Sequence, residues 1–133
     1  MLGAGRAAPS QSDLDALNLA LQLSYLEAAF YNQAAFGRGL PDELRGGGPQ
    51  ATGGKKGTYT PQVEAFAQEL ALTSLAHVRV LRDILADAAA PMPAINLDTA
   101  WQRLANSALN TQLQPAFDPY GAARRLRNAW ARR

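Results

Sequence analysis

Between Asp13 and Phe36, Leu14, Leu17, Leu21, Ser24, Ala28, Tyr31 and Ala35 recur at alternating spacings of three and four. That period puts them on one side of an α-helix and predicts a helix over about residues 13–36 with one buried face. Leu19, Leu23, Leu26 and Phe30 widen the apolar stripe beyond what one neighbouring helix covers, as in a bundle helix. Ser12 or Asp13 can accept hydrogen bonds from the free amides at its start, and Gly37 with Gly39 ends it. A second helix is predicted from Thr60, a suitable N-cap, through Pro61 at the first helical position to about Ala88. Its expected inner face is Val63, Phe66, Leu70, Ser74, His77, Leu81, Ile84 and Ala88, and Pro91 and Pro93 stop it. A shorter third helix runs from Asp98 to about Asn110 with Trp101, Leu104 and Leu109 inward, followed by a turn at Phe117-Asp118-Pro119-Tyr120. No segment has the alternation of a strand, and there is no internal repeat, so the fold class is all-α.

The rest is connection. Residues 37–59 hold eight glycines and two prolines, which predicts a long flexible loop, and residues 1–12 read as a flexible N-terminus. Residues 121–133 form a basic amphipathic tail, with Leu126 and Trp130 on one side and arginines on the rest.

Composition narrows the possibilities further. The 133 residues suit one domain. Of the 47% hydrophobic residues, 27 are alanine, so the core is thin or shared with something else. With no cysteine, disulfides, thiolate catalysis and cysteine-ligated metal sites are excluded. The net charge is +2, but Arg124, Arg125, Arg127, Arg132 and Arg133 supply five of the thirteen basic residues. Residues 1–120 hold eight basic against eleven acidic residues, a net −3, which does not describe a nucleic-acid binder. No stretch has the length of a membrane span, and the opening residues lack the apolar core of a secretory signal, which is either absent or removed upstream.

Candidate chemistry sits at mid-helix. Ser24 and Glu27 are neighbours three apart on the first helix, with Tyr31 a turn beyond, and Ser74 and His77 share that spacing on the second. A carboxylate on one helix facing Glu-x-x-His on another is how a di-metal bundle is ligated. Here serine stands at both glutamate positions.

The run Leu21-Gln-Leu-Ser-Tyr-Leu-Glu-Ala-Ala-Phe-Tyr31 resembles the first helix of the ferritin-like, desiccation-related proteins of plants and green algae. The loop Gly46-Gly-Gly-Pro49, the segment from Gln68-Glu69 to His77-Val-Arg-Val-Leu81, the proline-rich exit and Phe117-Asp-Pro-Tyr120 follow the same family in order and spacing, over residues 13–120. The resemblance implies a truncated ferritin-like helical hairpin, a partial four-helix bundle, with a short third helix and a basic C-terminal segment. It also implies degenerate metal ligands. Ser24 and Ser74 occupy lost-ligand positions, Glu27 and His77 remain as remnant candidates, and relatives continue after the turn into further helices that close the bundle. Two candidate ligands are too few for a closed site, so no metal and no cofactor are expected; a homodimer would double them.

Blander readings stand beside these. His77 reads as a core or half-buried histidine bonded to Ser24, Glu27 or Tyr31, or else as a metal ligand. Glu27 is its charge partner or a residue at the helix margin. Tyr25 and Tyr31 read as packing residues with satisfied hydroxyls. Gly48 to Lys56 lacks the spacing of a phosphate loop, and the only histidine has no serine in a nucleophile elbow near it. The arginine tail reads as a solvated helix end, as a docking segment for a protein partner through Trp130, Leu126, Arg124 and Arg125, or as a nucleic-acid contact, in that order. Two long helices cannot bury both wide apolar faces on each other. The expectation is therefore a non-catalytic structural or interaction subunit, self-associating or bound to protein partners, with a metal site at a dimer interface as the alternative.

Overall fold

The computed structural model describes residues 8–114 and 118–121. The chain forms α1 (Gln11–Phe36), α2 (Pro61–Leu85) and α3 (Thr99–Ala108), with 3-10 turns at Asp42–Leu44 and Ala86–Ala88. Among the described residues there is no strand, only one bridge between Thr52 and Asn96. No described helix is long and apolar enough to cross a membrane.

The ends of α1 and α2 follow from local chemistry. Ser10, not Ser12 or Asp13, caps α1: its hydroxyl accepts from the Asp13 amide, and the Asp13 carboxylate accepts from the Ser10 amide. Ser10 to Ser12 thus belong to the helix start, and residues 1–7 of the expected flexible N-terminus lie outside the described residues. Gly37 ends α1 in the left-handed conformation, φ 68°, where a Cβ would be strained. Thr60 caps α2 as expected, its hydroxyl accepting from Val63.

α1 and α2 pack antiparallel; α1 uses much of its expected stripe, with Leu21, Ala28 and Ala35 buried, whereas of the expected α2 face only Ser74 is buried. The residues buried between and beside them are Leu21, Tyr25, Ala28, Ala29, Asn32 and Ala35 on α1, and Ala71, Ser74, Val78 and Leu85 on α2. α2 turns Ala71 and Val78 inward in place of Leu70 and His77, a shift of about one residue from its expected face. Of the expected α2 face, Val63, Phe66, His77, Ile84 and Ala88 are exposed. Small residues win the seam because they let the backbones approach closely. That approach brings the Asn32 amide within reach of two carbonyls, Ala28 of its own helix at 2.8 Å and Ala71 of α2 at 3.2 Å. At the other end Arg82 donates to the Tyr25 hydroxyl, which donates to the Ala90 carbonyl, both at 2.8 Å.

The connection after α1 is more built than its glycines suggest. Leu40 and Leu44 are buried with Met92 and Leu97, and the Gln50 side chain spans both backbone groups of Leu40. The chain leaving α2 crosses back over one side of α1: Asn18 bonds Ala88 and Ala90, and Gln22 reaches the Pro91 carbonyl. Trp101 of α3 sits on Phe30, ring centroids 4.7 Å apart. Leu104 and Leu109, expected inward, are 57% and 61% exposed, because α3 meets the hairpin only along its Trp101 side.

Gly48 tests how closely these segments meet. A Cβ there would overlap the Met92 carbonyl oxygen, and the Met92 amide is itself bonded to Arg45. Gly47 has φ +82° but open space around it. In thermal melts Gly48→Ala should therefore cost about 2–3 kcal/mol, as overpacking against fixed backbone does. Gly47→Ala should cost about 1 kcal/mol from its backbone conformation alone. Equal losses for the two would refute the close approach.

Candidate functional site

Of the four mid-helix residues, the structure brings only one into the seam. Ser74 is buried, and its hydroxyl donates to the Ala71 carbonyl at 2.8 Å, one turn back in its own helix. Ser24 is half-buried on α1. His77 and Glu27 are both exposed, and neither makes a hydrogen bond or ion pair among the described residues. The expectation of a buried histidine bonded to Ser24, Glu27 or Tyr31 is thereby corrected. Val78 rather than His77 occupies the seam, and a helical step of about 100° moves the imidazole to the side. For Glu27 the helix-margin reading is the one that fits.

Glu27 and His77 nevertheless share a level along the hairpin. Asn32 meets Ala71 and Tyr25 meets Arg82, so Glu27, between the two on α1, is level with the turn Ala76–Val80. Among the described residues no group of three or more acidic, histidine or cysteine side chains is placed to hold a metal ion. Trp130, Leu126, Arg124 and Arg125 lie outside the described residues.

Sequence reasoning missed the polar locks Asn18, Asn32 and Tyr25–Arg82, whose partners lie 39 to 72 residues away. It also missed a cluster at the end of the hairpin. Tyr120 is buried beside Phe30, ring centroids 5.7 Å apart, and its hydroxyl has no hydrogen-bond partner. Asp98 accepts from the Gly54 amide at 2.9 Å, and Asp118 from the Tyr120 amide at 3.0 Å and pairs with Lys55 at 3.5 Å. Burial, then the charge of Asp98, pushes the Tyr120 phenol well above its ordinary value; burial and Asp118 raise that of Tyr59. Both phenols hold their protons at neutral pH, so neither serves there as a base. A shallow apolar groove of about 420 Å³ opens beside it between Phe30, Tyr31, Trp101, Leu104 and Ala108.

An antiparallel hairpin of two long helices joined by a glycine-rich connection defines the class. The chain belongs to the ferritin-like domain family, which matches residues 12–129. It is 32% identical to desiccation-related protein PCC13-62 of Craterostigma plantagineum, over 83% of this chain and 36% of that protein. To the ferritin-like catalase Nec2 of Nesocodon mauritianus it is 30% identical, over the same shares of each. The chain thus spans about a third of the length of the curated relatives it matches. No solved structure matches it.

The Tyr120 phenol carries a pH consequence. Its folded pKa lies above the ordinary 10.0, so above that pH the unfolded chain ionises while the folded one cannot, and stability falls as pH rises. Tyr120→Phe should move the midpoint of alkaline unfolding upward. At neutral pH it should change stability by no more than about 1 kcal/mol, since the lost hydroxyl was unpaired. An unchanged alkaline midpoint would count against this placement of the phenol.

Proposed function

We propose that the chain is a non-catalytic ferritin-like protein that works by association, as a structural subunit of a larger assembly or homo-oligomer. The observation that carries this reading is the outward side of α2. Phe66 is 62% exposed, Ile84 60%, Val80 54% and Val63 45%, four large apolar side chains in one helical repeat. A contiguous apolar stripe of that length marks a surface that meets another protein. Each such side chain, when covered, contributes roughly 1.5–3 kcal/mol. The serines support the non-catalytic half of the reading. Neutral hydroxyls at positions 24 and 74 cannot supply the charge that carboxylates bring to two metal ions.

A second reading is a metal-binding protein whose site forms where two copies meet. It is favoured by the shared level and exposure of Glu27 and His77, and one relative is named a ferritin-like catalase. Paired copies would offer two carboxylates and two imidazoles, a sparse set that would need water to complete it.

Metal analysis of the purified protein, with peroxide breakdown assayed on the same sample, separates the readings. The expected result is no stoichiometric iron, manganese or zinc and no peroxide loss above that of buffer. About one or more ions per chain, lost in Glu27→Ala or His77→Ala, would replace the first reading with the second.

A further inference from the structure

One side of the α1–α2 hairpin is covered by its own chain, through Asn18, Gln22, Tyr25 and the contact of Phe30 with Trp101. No described residue covers the other side, where Val63, Phe66, Val80 and Ile84 are exposed. On α1, positions 17, 20, 24, 27 and 31 repeat at three and four; on α2, positions 63, 66, 70, 73, 77, 80 and 84 do the same through three heptads. In an antiparallel pair of right-handed helices these stripes fall together on the uncovered side. The α2 stripe has the pattern of a helix that packs against another helix, with Thr73 and His77 as its polar central positions.

Size and charge point to the occupant. At 1.5 Å per residue α2 runs about 37 Å, and two helices about 10 Å apart present a face roughly 20 Å wide, on the order of 700 Å². Stable specific interfaces bury about 600–1,000 Å² from each partner, so one face of this size meeting its like falls within that range. Glu27 is the only acidic and His77 the only basic side chain on the two stripes, and they stand level. A two-fold axis parallel to the helices sets α1 of one copy against α2 of the other, antiparallel and at unchanged level. Each Glu27 then meets the imidazole of the other copy. A two-fold axis perpendicular to the helices at that level instead sets like against like, which charge repulsion disfavours.

We propose that the chain pairs with a second copy of itself through this face, closing a four-helix bundle in which Glu27 of each copy meets His77 of the other. The pairing rests on the association reading above and names its partner. The two hairpins supply the four helices, and the polar central positions fix which helix faces which. Ser24 and Tyr31, on the same α1 stripe, flank the place where the second copy's imidazole arrives.

Sedimentation at micromolar concentration should give a dimer, and Phe66→Glu should give a monomer that keeps its helical circular dichroism. His77→Glu should weaken pairing at least about tenfold by setting carboxylate against carboxylate, and adding Glu27→His should restore it. The absence of cysteine gives a clean trapping experiment. When Glu27→Cys and His77→Cys chains are mixed and oxidised, the mixed disulfide should exceed either symmetric one. Trapping decides the matter even if Phe66→Glu fails to fold, because it leaves the apolar stripe intact. A monomer at every concentration, an unaffected His77→Glu dimer, or predominance of the symmetric disulfides would overturn the pairing. A metal-free monomer would end the pairing alone and leave association with a different protein standing. Stoichiometric metal would end the non-catalytic reading itself.

Discussion

The close approach of α1 and α2 is the constraint from which the remaining structure follows. Ala28, Ala29, Ala71 and Ser74 line the seam, and only small side chains let the Asn32 amide of one helix reach the Ala71 carbonyl of the other. Such a seam buries little apolar area, so it relies on hydrogen bonds made in a water-poor interior, where an unmade bond is costly. Asn32 shows the balance: its amide nitrogen is doubly satisfied while its carbonyl oxygen has no partner. The chain then reinforces one flank by sending residues 86–101 back across α1, tied down by Asn18, Gln22 and Tyr25.

The helices and two of their ends were legible because they depend on neighbours in sequence. Gly37 and Thr60 cap where their chemistry says, and α3 lies within the expected span. The face of α2 was less legible because that helix carries two stripes, one through Ala71, Ser74 and Val78 and one of larger side chains. Periodicity cannot rank them; weighting by size selects the large one. The structure gives the interhelical seam to the smaller one, which lets the backbones approach. That single choice explains why His77 lies outside the seam, beside the buried Val78. The locks Asn18, Asn32 and Tyr25–Arg82 had no local signal, since each bonds a backbone or side chain far along the chain.

The candidate site follows the same logic. The spacing of Ser24 with Glu27 and of Ser74 with His77 was legible in the sequence as two pairs at mid-helix. What the spacing could not convey is direction. Ser74 spends its hydroxyl on the Ala71 carbonyl inside α2, so it has become part of the helix rather than a group facing a cavity. Glu27 and His77 are both exposed and do not meet across the seam.

An alanine-lined seam and an outward heptad of valine, phenylalanine, leucine and isoleucine are two sides of one arrangement. In an isolated hairpin Val63, Phe66, Val80 and Ile84 would be left in water, and the energy available from burying them would go unused. Under the proposed pairing that energy is released only when the open face is covered. The stability of the hairpin and its association then become a single equilibrium, as in bundles whose protomers gain their core on meeting. Polar positions inside such a face weaken it slightly and select among its alignments. His77, near the centre of the stripe and level with Glu27, sits where that selection is most effective, because a shift of one heptad in either direction sets the imidazole against apolar side chains instead of a carboxylate.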